Sequence, residues 1–451
     1  MNDALTYIKD TIVAAATPPG TGGVAVVRIS GPEAASIATR MVGELPEPRT
    51  AGLRIFQDAE GRELDIGIAL YFPAPRSFTG ETVVELQGHG GQVVVAGIVD
   101  AAVSLGARNA EPGEFSKRAF LNGKLDLAQA EAIADLVGSG TRQAARAALR
   151  SLAGAFSRAV ESLQEQLTTL RLHVEAAIDF PEEEIDFLAD DALAQRIDAA
   201  RRSFEELAQT AATGSVLRDG YRIVIVGKPN AGKSSLLNLL SGQEAAIVTD
   251  VAGTTRDILR EQIDIDGLAV ELVDTAGLRE DPDRVEAEGI RRAREAMRQA
   301  DAVLWVQDAT DPAEPAHGEN LPEGIPIIVV RNKIDLTGEA PGRDPATGNP
   351  RLRVCALTGA GVGELRGAIR ELAGYHDLGE GAFTARRRQL DALARARSHF
   401  DLGRTALAET RSGELLAEEL RLAQRALGEV TGELTSDDLL GRIFSEFCIG
   451  K

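Results

Sequence analysis

Eight residues from Gly227 to Ser234 have the types and spacing that bind phosphate, and they read Gly-Lys-Pro-Asn-Ala-Gly-Lys-Ser. They follow the apolar run YRIVIV and open the helical pattern SSLLNLLSG. Backbone N–H groups of such a turn, together with the positive end of the helix, hold nucleotide phosphates. We expect Lys233 to neutralise phosphate charge and Ser234 to place its hydroxyl on Mg²⁺. The predicted nucleotide contacts in this loop are Asn230, Ala231, Gly232, Lys233, Ser234 and Ser235.

A second element, about a hundred residues further on, has the chemistry to select the base. The run IPIIVVRNKID is typical of a buried strand, and it ends in Asn332, Lys333 and Asp335. A carboxylate at this point accepts two hydrogen bonds from guanine, whereas adenine cannot donate them and would leave a buried carboxylate unpaired. The nucleotide is therefore predicted to be GTP. The residues predicted to touch the base after a further short strand are Cys355, Ala356 and Leu357.

Two segments between these elements would respond to the γ-phosphate. The strand LAVELVDTAGL delivers Asp274 to the Mg²⁺ shell and Gly277 to the γ-phosphate. Thr254 and Thr255, in TDVAGTTRD, fall where a switch loop would wrap the metal. Four elements in this order and spacing predict a GTPase rather than a chance glycine-rich loop. The nucleotide contacts predicted here are Thr249, Asp250, Val251, Ala252, Gly253, Thr254, Thr255, Asp274, Thr275, Ala276 and Gly277.

The catalytic group of this GTPase must differ from the glutamine that orients water in many others, because the corresponding position is Leu278. Asn230 is a candidate, since its carboxamide oxygen could hold a monovalent cation that does the work of an arginine finger. The alternative is an asparagine that merely stabilises the loop. The water-positioning candidates downstream, which could equally form a solvated helix, are Arg279, Arg284, Glu286 and Glu288.

The elements that position these residues fall into four blocks. Residues 1–122 mix short β-type runs with Gly/Pro turns and a helix near 91–106, an α+β pattern. Residues 123–214 have helical periodicity, 215–376 alternate strand and helix as in a parallel sheet, and 377–451 return to helix. The economical interpretation is one helical domain into which the GTPase is inserted, at surface linkers near 214–220 and 375–381.

Composition narrows the class of protein. A chain of 451 residues with 44% hydrophobic residues suggests two to four domains with real cores. The formal charge of −20 argues against non-specific nucleic-acid binding over the whole surface, so RNA contact needs a local basic patch or a partner. Two cysteines make no disulfide scaffold. Without an 18-residue apolar run or a signal sequence, we expect a soluble, cytoplasmic protein with no membrane contact.

Some motifs outside the GTPase block have no role in GTP hydrolysis. Taken alone, Arg28 in VAVVRISG is interpreted as a surface or edge charge, Lys124 as a solvated lysine, and His89 as an ordinary loop histidine. Glu85 lies on the alternating strand TVVELQ. The tail LLGRIFSEFCIGK predicts an amphipathic helix followed by Cys448, either a reactive thiol or an ordinary exposed one. The residues by themselves indicate no ligand.

The motifs together resemble a known family. The phosphate loop with its asparagine, TDVAGTTRD, DTAGLRE and the terminal CIGK are similar to those of the MnmE (TrmE) family of tRNA-modifying GTPases. So are TIVAAATPPGTGGVAVVRISG, SFTGETVVELQGHGG and EPGEFSKRAFLNGKLDLAQAEAIADLV near the amino terminus. The resemblance runs essentially from end to end. It implies a multidomain α/β and α fold: an α+β folate-binding-like first domain, an all-helical domain and an inserted Ras-like GTPase domain with a parallel-rich sheet.

The resemblance also implies site residues. Glu286 would orient the attacking water, although Pro282 in EDPDRVEAEGI departs from the family pattern before it. Cys448 is a candidate participant in uridine chemistry. The implied ligand sets are Ser234 and Thr255 for Mg²⁺; Asn230, Thr249, Val251 and Thr254 for K⁺; and Arg28, Glu85, Lys124 and Lys451 for tetrahydrofolate.

The implied function is a homodimeric, K⁺-stimulated GTPase. With an FAD-dependent partner subunit, in a heterotetramer or larger complex, it would add a carboxymethylaminomethyl or aminomethyl group to carbon five of the wobble uridine of certain tRNAs. The one-carbon unit would come from 5-formyltetrahydrofolate or 5,10-methylenetetrahydrofolate, and the amine from glycine or ammonium. Two alternatives stay open: a ribosome-assembly GTPase acting as an RNA-binding switch, and a folate-dependent aminomethyl transferase whose GTPase is only regulatory.

Overall fold

The structure is a computed structural model in which the chain forms two compact units. The first unit comprises Met1–Ala134, Leu152–Leu193 and Arg395–Lys451, and the second comprises Asp135–Ser151 and Ala194–Ala394. Within the described residues, no helix is both long and apolar enough to cross a bilayer. The described residues are 10–179, 191–242, 260–274, 298–311, 324–344, 349–375, 381–433, 437–445 and 447–450.

The first unit contains a mostly antiparallel sheet of the strand order β3-β4-β5-β2-β1-β6, in which only β1 and β6 pair in parallel. Alternation along the strands sends Val27 and Ile29 into the core beneath the helices, so that Arg28 lies on the opposite face. The elements are β1 Ile12–Ala15, β2 Gly22–Ser30, α1 Ala34–Val42, β3 Gly52–Gln57, β4 Glu63–Phe72, β5 Val83–Gly90, α2 Gln92–Ser104 and β6 Arg108–Asn109.

Helices with apolar stripes continue from this sheet. Those that lie at least partly in the first unit are α3 Glu114–Leu121, α4 Leu127–Val137, α6 Ala155–Asp179, α10 Arg387–Thr410, α11 Gly413–Thr431 and α12 Asp437–Ser445. Helix α12, predicted from the amphipathic tail, buries Leu440 and Phe444 against Leu127 and Ala130 of α4. The predicted α+β first domain and helical domain are thereby confirmed.

The second unit is built on a parallel-rich sheet of the order β12-β13-β11-β10-β7-β9-β8. Strands β9, β7, β10, β11 and β13 run parallel, while β8 and β12 pair antiparallel at the two edges. The inner strands are continuous apolar runs, as is typical of a parallel sheet whose side chains are buried on both faces. The elements are β7 Tyr221–Val226, α8 Lys233–Gly242, β8 Arg260–Ile265, β9 Leu268–Asp274, β10 Ala302–Asp308, β11 Ile327–Asn332, β12 Gly342–Arg343, β13 Arg351–Arg353 and α9 Val362–Leu372.

Two further helices belong wholly or mainly to the second unit: α5 Arg142–Leu152 and α7 Asp191–Asp219. The predicted surface linker at 214–220 is wrong, because α7 continues to Asp219 and β7 begins two residues later. Gly214 lies inside α7, where a Cβ would collide with the carbonyl oxygen of Phe383. The glycine permits close packing inside a helix.

Candidate functional site

The phosphate loop has the predicted strand, turn and helix in order, since β7 ends at Val226 and α8 begins at Lys233. Gly232 has φ +93, and a Cβ there would collide with the side chain of Asn332. Gly227 similarly lies against the carbonyl oxygen of Val306 in β10. Glycine is required at both positions because other segments of the same chain lie too close to the loop for a side chain.

Lys233 folds back over the loop that it would use to hold phosphates. Its Nζ donates to the carbonyl oxygens of Gly227 and Lys228, both at 2.9 Å. The lysine is buried, whereas Ser234 and Ser235 are exposed in the first turn of α8. The ammonium group and the helix N-terminus are thus directed at one concave loop, which suits a bound phosphate chain.

Asn332 joins the loop that follows β11 to two other loops. Its Nδ2 donates to the carbonyl oxygen of Ala231 at 2.9 Å, and its Oδ1 accepts from the backbone N–H of Ala356 at 2.9 Å. The side chain is buried. Both hydrogen-bonding atoms of the amide are therefore used to hold the phosphate loop and the Cys355-Ala356-Leu357 loop at a fixed separation.

Lys333 makes a parallel connection with its long side chain. It has φ +66, and its Nζ donates to the carbonyl oxygen of Asn230 at 2.6 Å and to Asp308 Oδ2 at 2.7 Å. The hydrogen bond from Lys333 and further bonds from Thr310 lower the pKa of Asp308 to about 2. The carboxylate of Asp308 consequently stays ionised and anchors the lysine across the phosphate loop.

The base-reading carboxylate is accessible in the structure. Asp335 lies in the short 3₁₀ turn Ile334–Leu336 and is exposed, so the donors of a purine can reach it. The thiol of Cys355 donates to Asp335 Oδ1 at 3.1 Å, and Cys355 itself is buried. Leu357, 87% exposed, is available to cover a base. The predicted guanine contacts are therefore brought together at one edge of the sheet.

The remaining predicted nucleotide and metal residues lie outside the described part of the chain, except for the backbone of Asp274. Asp274 ends β9, but its side chain lies outside the described part of the chain. Within the described part, no three His, Cys, Asp or Glu side chains gather as a metal site. Magnesium coordination by hydroxyls and phosphates needs no such cluster. The predicted residues outside the described ranges are Thr249, Asp250, Val251, Ala252, Gly253, Thr254, Thr255, Thr275, Ala276, Gly277, Glu286 and Lys451.

Arg28 and Glu85 form a second candidate site in the first unit. They are direct cross-strand partners on β2 and β5, and Arg28 Nε donates to Glu85 Oε1 at 2.9 Å. The guanidinium lies over the rings of Phe78 and Phe115, at 5.2 and 5.6 Å from their centroids. The interpretation of Arg28 as a surface or edge charge is wrong: β2 is an inner strand, and the side chain is only 20% exposed.

Lys124 contacts the same loop that carries Phe78. Its Nζ donates to the carbonyl oxygen of Pro75 at 3.3 Å, and its alkyl chain packs against Gly80. His89 does not join this group, because its ring and its backbone N–H both bind the carboxylate of Asp65 at 2.7 Å. The site thus combines an ion pair, two aromatic rings and an exposed ammonium.

A buried ion cluster that sequence reasoning missed supports this loop. Arg118 is 1% exposed and donates to Asp10, Glu81 and Glu114, while Glu81 also accepts from Ser30 Oγ at 2.8 Å. Burial opposes ionisation of Glu114, yet hydrogen bonds from Arg108 and the Glu111 backbone help to hold its pKa below the usual value. The sequence signal was an arginine that precedes the apolar run Ala-Phe-Leu in EFSKRAFL and lies four residues after Glu114.

The C-terminal tail packs on the first unit near Arg28. The backbone N–H of Gly113 donates to the carbonyl oxygen of Cys448 at 3.3 Å, and Cys448 is exposed. Gly450 has φ +95 and lies so close to the carbonyl oxygen of Ala15 that a Cβ would not fit. Ala15 follows Ala14, the cross-strand partner of Arg28, so the tail ends beside the strand next to the ion pair.

Comparison with solved structures gave only limited likeness. The G domain of the FeoB iron transporter of T. maritima is 24% identical, covers 34% of this chain and 98% of its own, and has a TM-score of 0.25. A GTP-binding protein from Sulfolobus solfataricus in complex with GDP is 21% identical. The match covers 48% of this chain and 66% of that protein, with a TM-score of 0.23.

Comparison with families and curated sequences was far closer. The family described as the MnmE helical domain matches residues 127–448, and that described as the GTP-binding protein TrmE N-terminus matches residues 11–124. The tRNA modification GTPase MnmE of Alkalilimnicola ehrlichii is 57% identical over 98% of this chain and 100% of its own length. The tRNA modification GTPase MnmE of Erwinia tasmaniensis is 55% identical over 98% of this chain and 99% of its own length. The chain therefore belongs to the MnmE family of tRNA modification GTPases.

Proposed function

We propose that this chain hydrolyses GTP in the modification of tRNA. The observation that carries the proposal is the buried Asn332 amide, which binds both the phosphate loop and the Cys355-Ala356-Leu357 loop at one end of the sheet. The exposed Asp335 carboxylate supplies the acceptors that favour guanine over adenine. The names of the curated relatives support the same activity.

Potassium stimulation is the second part of the proposal. Asn230 has φ +62, and its carbonyl oxygen accepts from Lys333, while no described residue bonds to its exposed carboxamide. That carboxamide oxygen is suited to coordinate a monovalent cation, which would supply positive charge to the transition state. Ser234, exposed on α8, suits Mg²⁺ together with Thr255. The other proposed groups are Thr249, Val251 and Thr254 for K⁺ and Glu286 for water.

The experiment compares GTP turnover in K⁺ and in Na⁺. Wild-type turnover should be much faster in K⁺, and Asn230→Ala should remove the difference, whereas Asn238→Ala on the exposed side of α8 should keep it. Glu286→Ala should slow hydrolysis while nucleotide affinity is nearly kept, because only transition-state positioning is lost. Equal wild-type rates in the two salts would contradict the cation role, and absence of turnover would contradict the enzyme assignment.

A tetrahydrofolate site in the first unit is the third part. The Arg28–Glu85 pair offers a guanidinium for a carboxylate and a carboxylate for pterin donors, and Phe78 and Phe115 offer apolar surface for an aromatic ring. Lys124 and Lys451 would bind glutamyl carboxylates. The packing of the tail at Gly450 supports Cys448 as a participant in uridine chemistry.

A homodimer is the fourth part, with a second copy of this chain covering an apolar patch. Leu53 faces Ile68 and Ile55 faces Ile66 across the β3–β4 pair, and these side chains are 39 to 72% exposed. Contiguous apolar surface on an edge hairpin is typical of an interface. Analytical ultracentrifugation of Ile66→Lys should detect monomers. A dimer of unchanged affinity would contradict this interface.

The reaction proposed for the assembled enzyme needs an FAD-dependent partner subunit and tRNA. The folate one-carbon unit would become the methylene bridge on carbon five of the wobble uridine, with glycine or ammonium as amine. GTP hydrolysis would drive opening and closing of paired GTPase domains. We propose that the first domain spans residues 1–122, that the GTPase domain spans 215–376, and that 123–214 and 377–451 form the two parts of the helical domain. Mass spectrometry of tRNA nucleosides from cells lacking the chain tests this, and an unmodified wobble uridine is the expected result. Retention of the modification would contradict the proposal.

A further inference from the structure

The longest stretch of this chain without Asp or Glu runs from residue 136 to residue 160. The chain as a whole carries 69 acidic and 49 basic residues, so such a stretch departs from the general pattern. The next longest, 220–243, contains the phosphate loop, where carboxylates would repel the ligand. The basic residues of the first stretch are all arginines: Arg142, Arg146, Arg150 and Arg158.

Two of these arginines project from the same face of α5. Arg142 and Arg146 are exposed and lie one turn apart, and neither forms an ion pair with any described residue. Two exposed arginines on other helices have a carboxylate partner within their own helix, Arg387 with Asp391 and Arg421 with Glu418, whereas α5 contains no Asp or Glu. Like charges four residues apart on a helix repel each other, so an anion bound to this face would relieve the repulsion.

Helix α5 is held firmly in the second unit by its opposite face. Thr141 Oγ1 donates to the carbonyl oxygen of Gly267 at 3.0 Å, and Arg150 donates to that of Ala382 at 2.9 Å. Ser151 Oγ accepts from the backbone N–H of Thr384 at 2.9 Å. Ala147 is buried in the unit's core. The two arginines are therefore presented from a rigid support, which lowers the entropy cost of binding.

The acidic groups around α5 are already neutralised. Asp135, just before the helix, accepts from Arg218 at 2.9 Å and from Arg386 at 2.7 Å. Asp266, beside the turn that Thr141 binds, pairs with Arg370 at 3.0 Å. The carboxylates of Asp135 and Asp266 are thus each paired with other arginines and do not neutralise Arg142 or Arg146.

We propose that the exposed face of α5 binds the phosphate backbone of tRNA through Arg142 and Arg146. The inference rests on the proposed function, which makes tRNA the substrate, and it assigns a contact surface on this chain. Guanidinium groups fit phosphate oxygens in bidentate geometry, and backbone contacts orient an RNA without reading its sequence. A local basic face also lets a chain of net charge −20 approach RNA.

The test measures equilibrium binding of the full-length chain to tRNA between 50 and 200 mM KCl, conditions over which such contacts weaken strongly. The double variant Arg142→Ala/Arg146→Ala should bind about tenfold more weakly at the lower salt. Its plot of log affinity against log salt should be shallower by about 1.4 to 1.8, the value for two lost phosphate contacts. An unchanged melting temperature verifies that the variant is folded.

The matched control is Arg62→Ala/Arg421→Ala, which removes the same charge from two ion-paired, exposed arginines and should bind like wild type. Equal losses of tRNA affinity in the two variants would mean that net charge alone explains the effect, and this would overturn the proposal. Unchanged tRNA affinity and an unchanged salt slope in the α5 variant would also overturn it. A third contradictory result would be that the α5 variant keeps its binding to tRNA but loses binding to phosphatidylglycerol vesicles. If the wild-type chain turns over GTP in K⁺ yet binds no tRNA, the inference fails while the GTPase proposal stands.

Discussion

The side-chain amide of Asn332 donates to the carbonyl oxygen of Ala231, across 101 residues of sequence, at 2.9 Å. Ala231 belongs to the phosphate loop and Asn332 to the loop that precedes Asp335, so this bond sets the distance between the two ends of a bound nucleotide. Because the same amide also accepts from Ala356, one buried side chain couples three loops that are remote in sequence.

Replacing Asn332 by alanine should weaken GTP binding by at least tenfold and reduce the free energy of unfolding by about 2–4 kcal/mol, because two buried backbone groups lose their partner. Fluorescent-nucleotide titration and urea unfolding measure the two quantities. Asn238→Ala, at an exposed position on α8, is the control and should change neither. Wild-type affinity in Asn332→Ala would refute the coupling.

Substitutions at Cys355 should change base selectivity more than phosphate binding. Cys355→Ala removes the donor that orients Asp335, whereas Cys355→Ser supplies a stronger one at the same place. We expect GTP affinity to fall by about fivefold in the alanine variant, because the weak hydrogen bond of a thiol contributes about 1 kcal/mol, and to be kept in the serine variant. Competition by GTP and by guanosine monophosphate, which lacks the outer phosphates, measures this. Equal affinities in the two variants would contradict the orienting role.

Arg28→Lys and Glu85→Gln test the site in the first unit. Lysine keeps the charge of Arg28 but loses the planar fork and the contact with two rings, so 5-formyltetrahydrofolate should bind at least tenfold more weakly. Calorimetry with the full chain measures the affinity. Arg54→Lys, at a half-buried position on the edge strand β3, should bind normally. Tight folate binding by both Arg28→Lys and Glu85→Gln would contradict a folate site at this ion pair.

Asp308 predicts a specific pH dependence of stability. Its pKa in the folded state is about 2, below the model-compound value of 3.8, because Lys333 and Thr310 favour the carboxylate. Its contribution to stability is therefore complete above pH 3.8 and is lost as the pH falls towards 2. Urea unfolding of Asp308→Asn should differ from wild type equally at pH 7 and 5, and less at pH 3. A difference that grows on acidification would contradict this assignment.

The phosphate loop and the base loop could be predicted because their chemistry is written in short, local spacings. Lys233 follows a strand and opens a helix within eight residues of Gly227, and both elements formed as expected. Asp335 likewise follows its strand directly. What local spacing did not contain was the role of Asn332, whose two partners lie 101 and 24 residues away.

Positions that depend on strand order or distant packing were harder to predict. Alternation along β2 gave the face of Arg28, but only the order β3-β4-β5-β2-β1-β6 makes that strand an inner one. A surface linker was predicted near residues 214–220, whereas Gly214 lies inside α7 and its contact with Phe383 leaves no room for a Cβ. Two of the partners of Arg118 could not be assigned, because Glu81 and Asp10 lie 37 and 108 residues away in the sequence.

The separation between Thr141 and Gly267, 126 residues, also fixes an order of events during synthesis. A ribosome adds roughly 5–20 residues per second, so α5 emerges about 6 to 25 s before the hairpin turn to which it binds. During that time its inward face is mainly alanine, with Ala144, Ala147 and Ala148 awaiting burial. Small side chains expose little apolar surface to aggregation, which suits a helix that must wait for its partner.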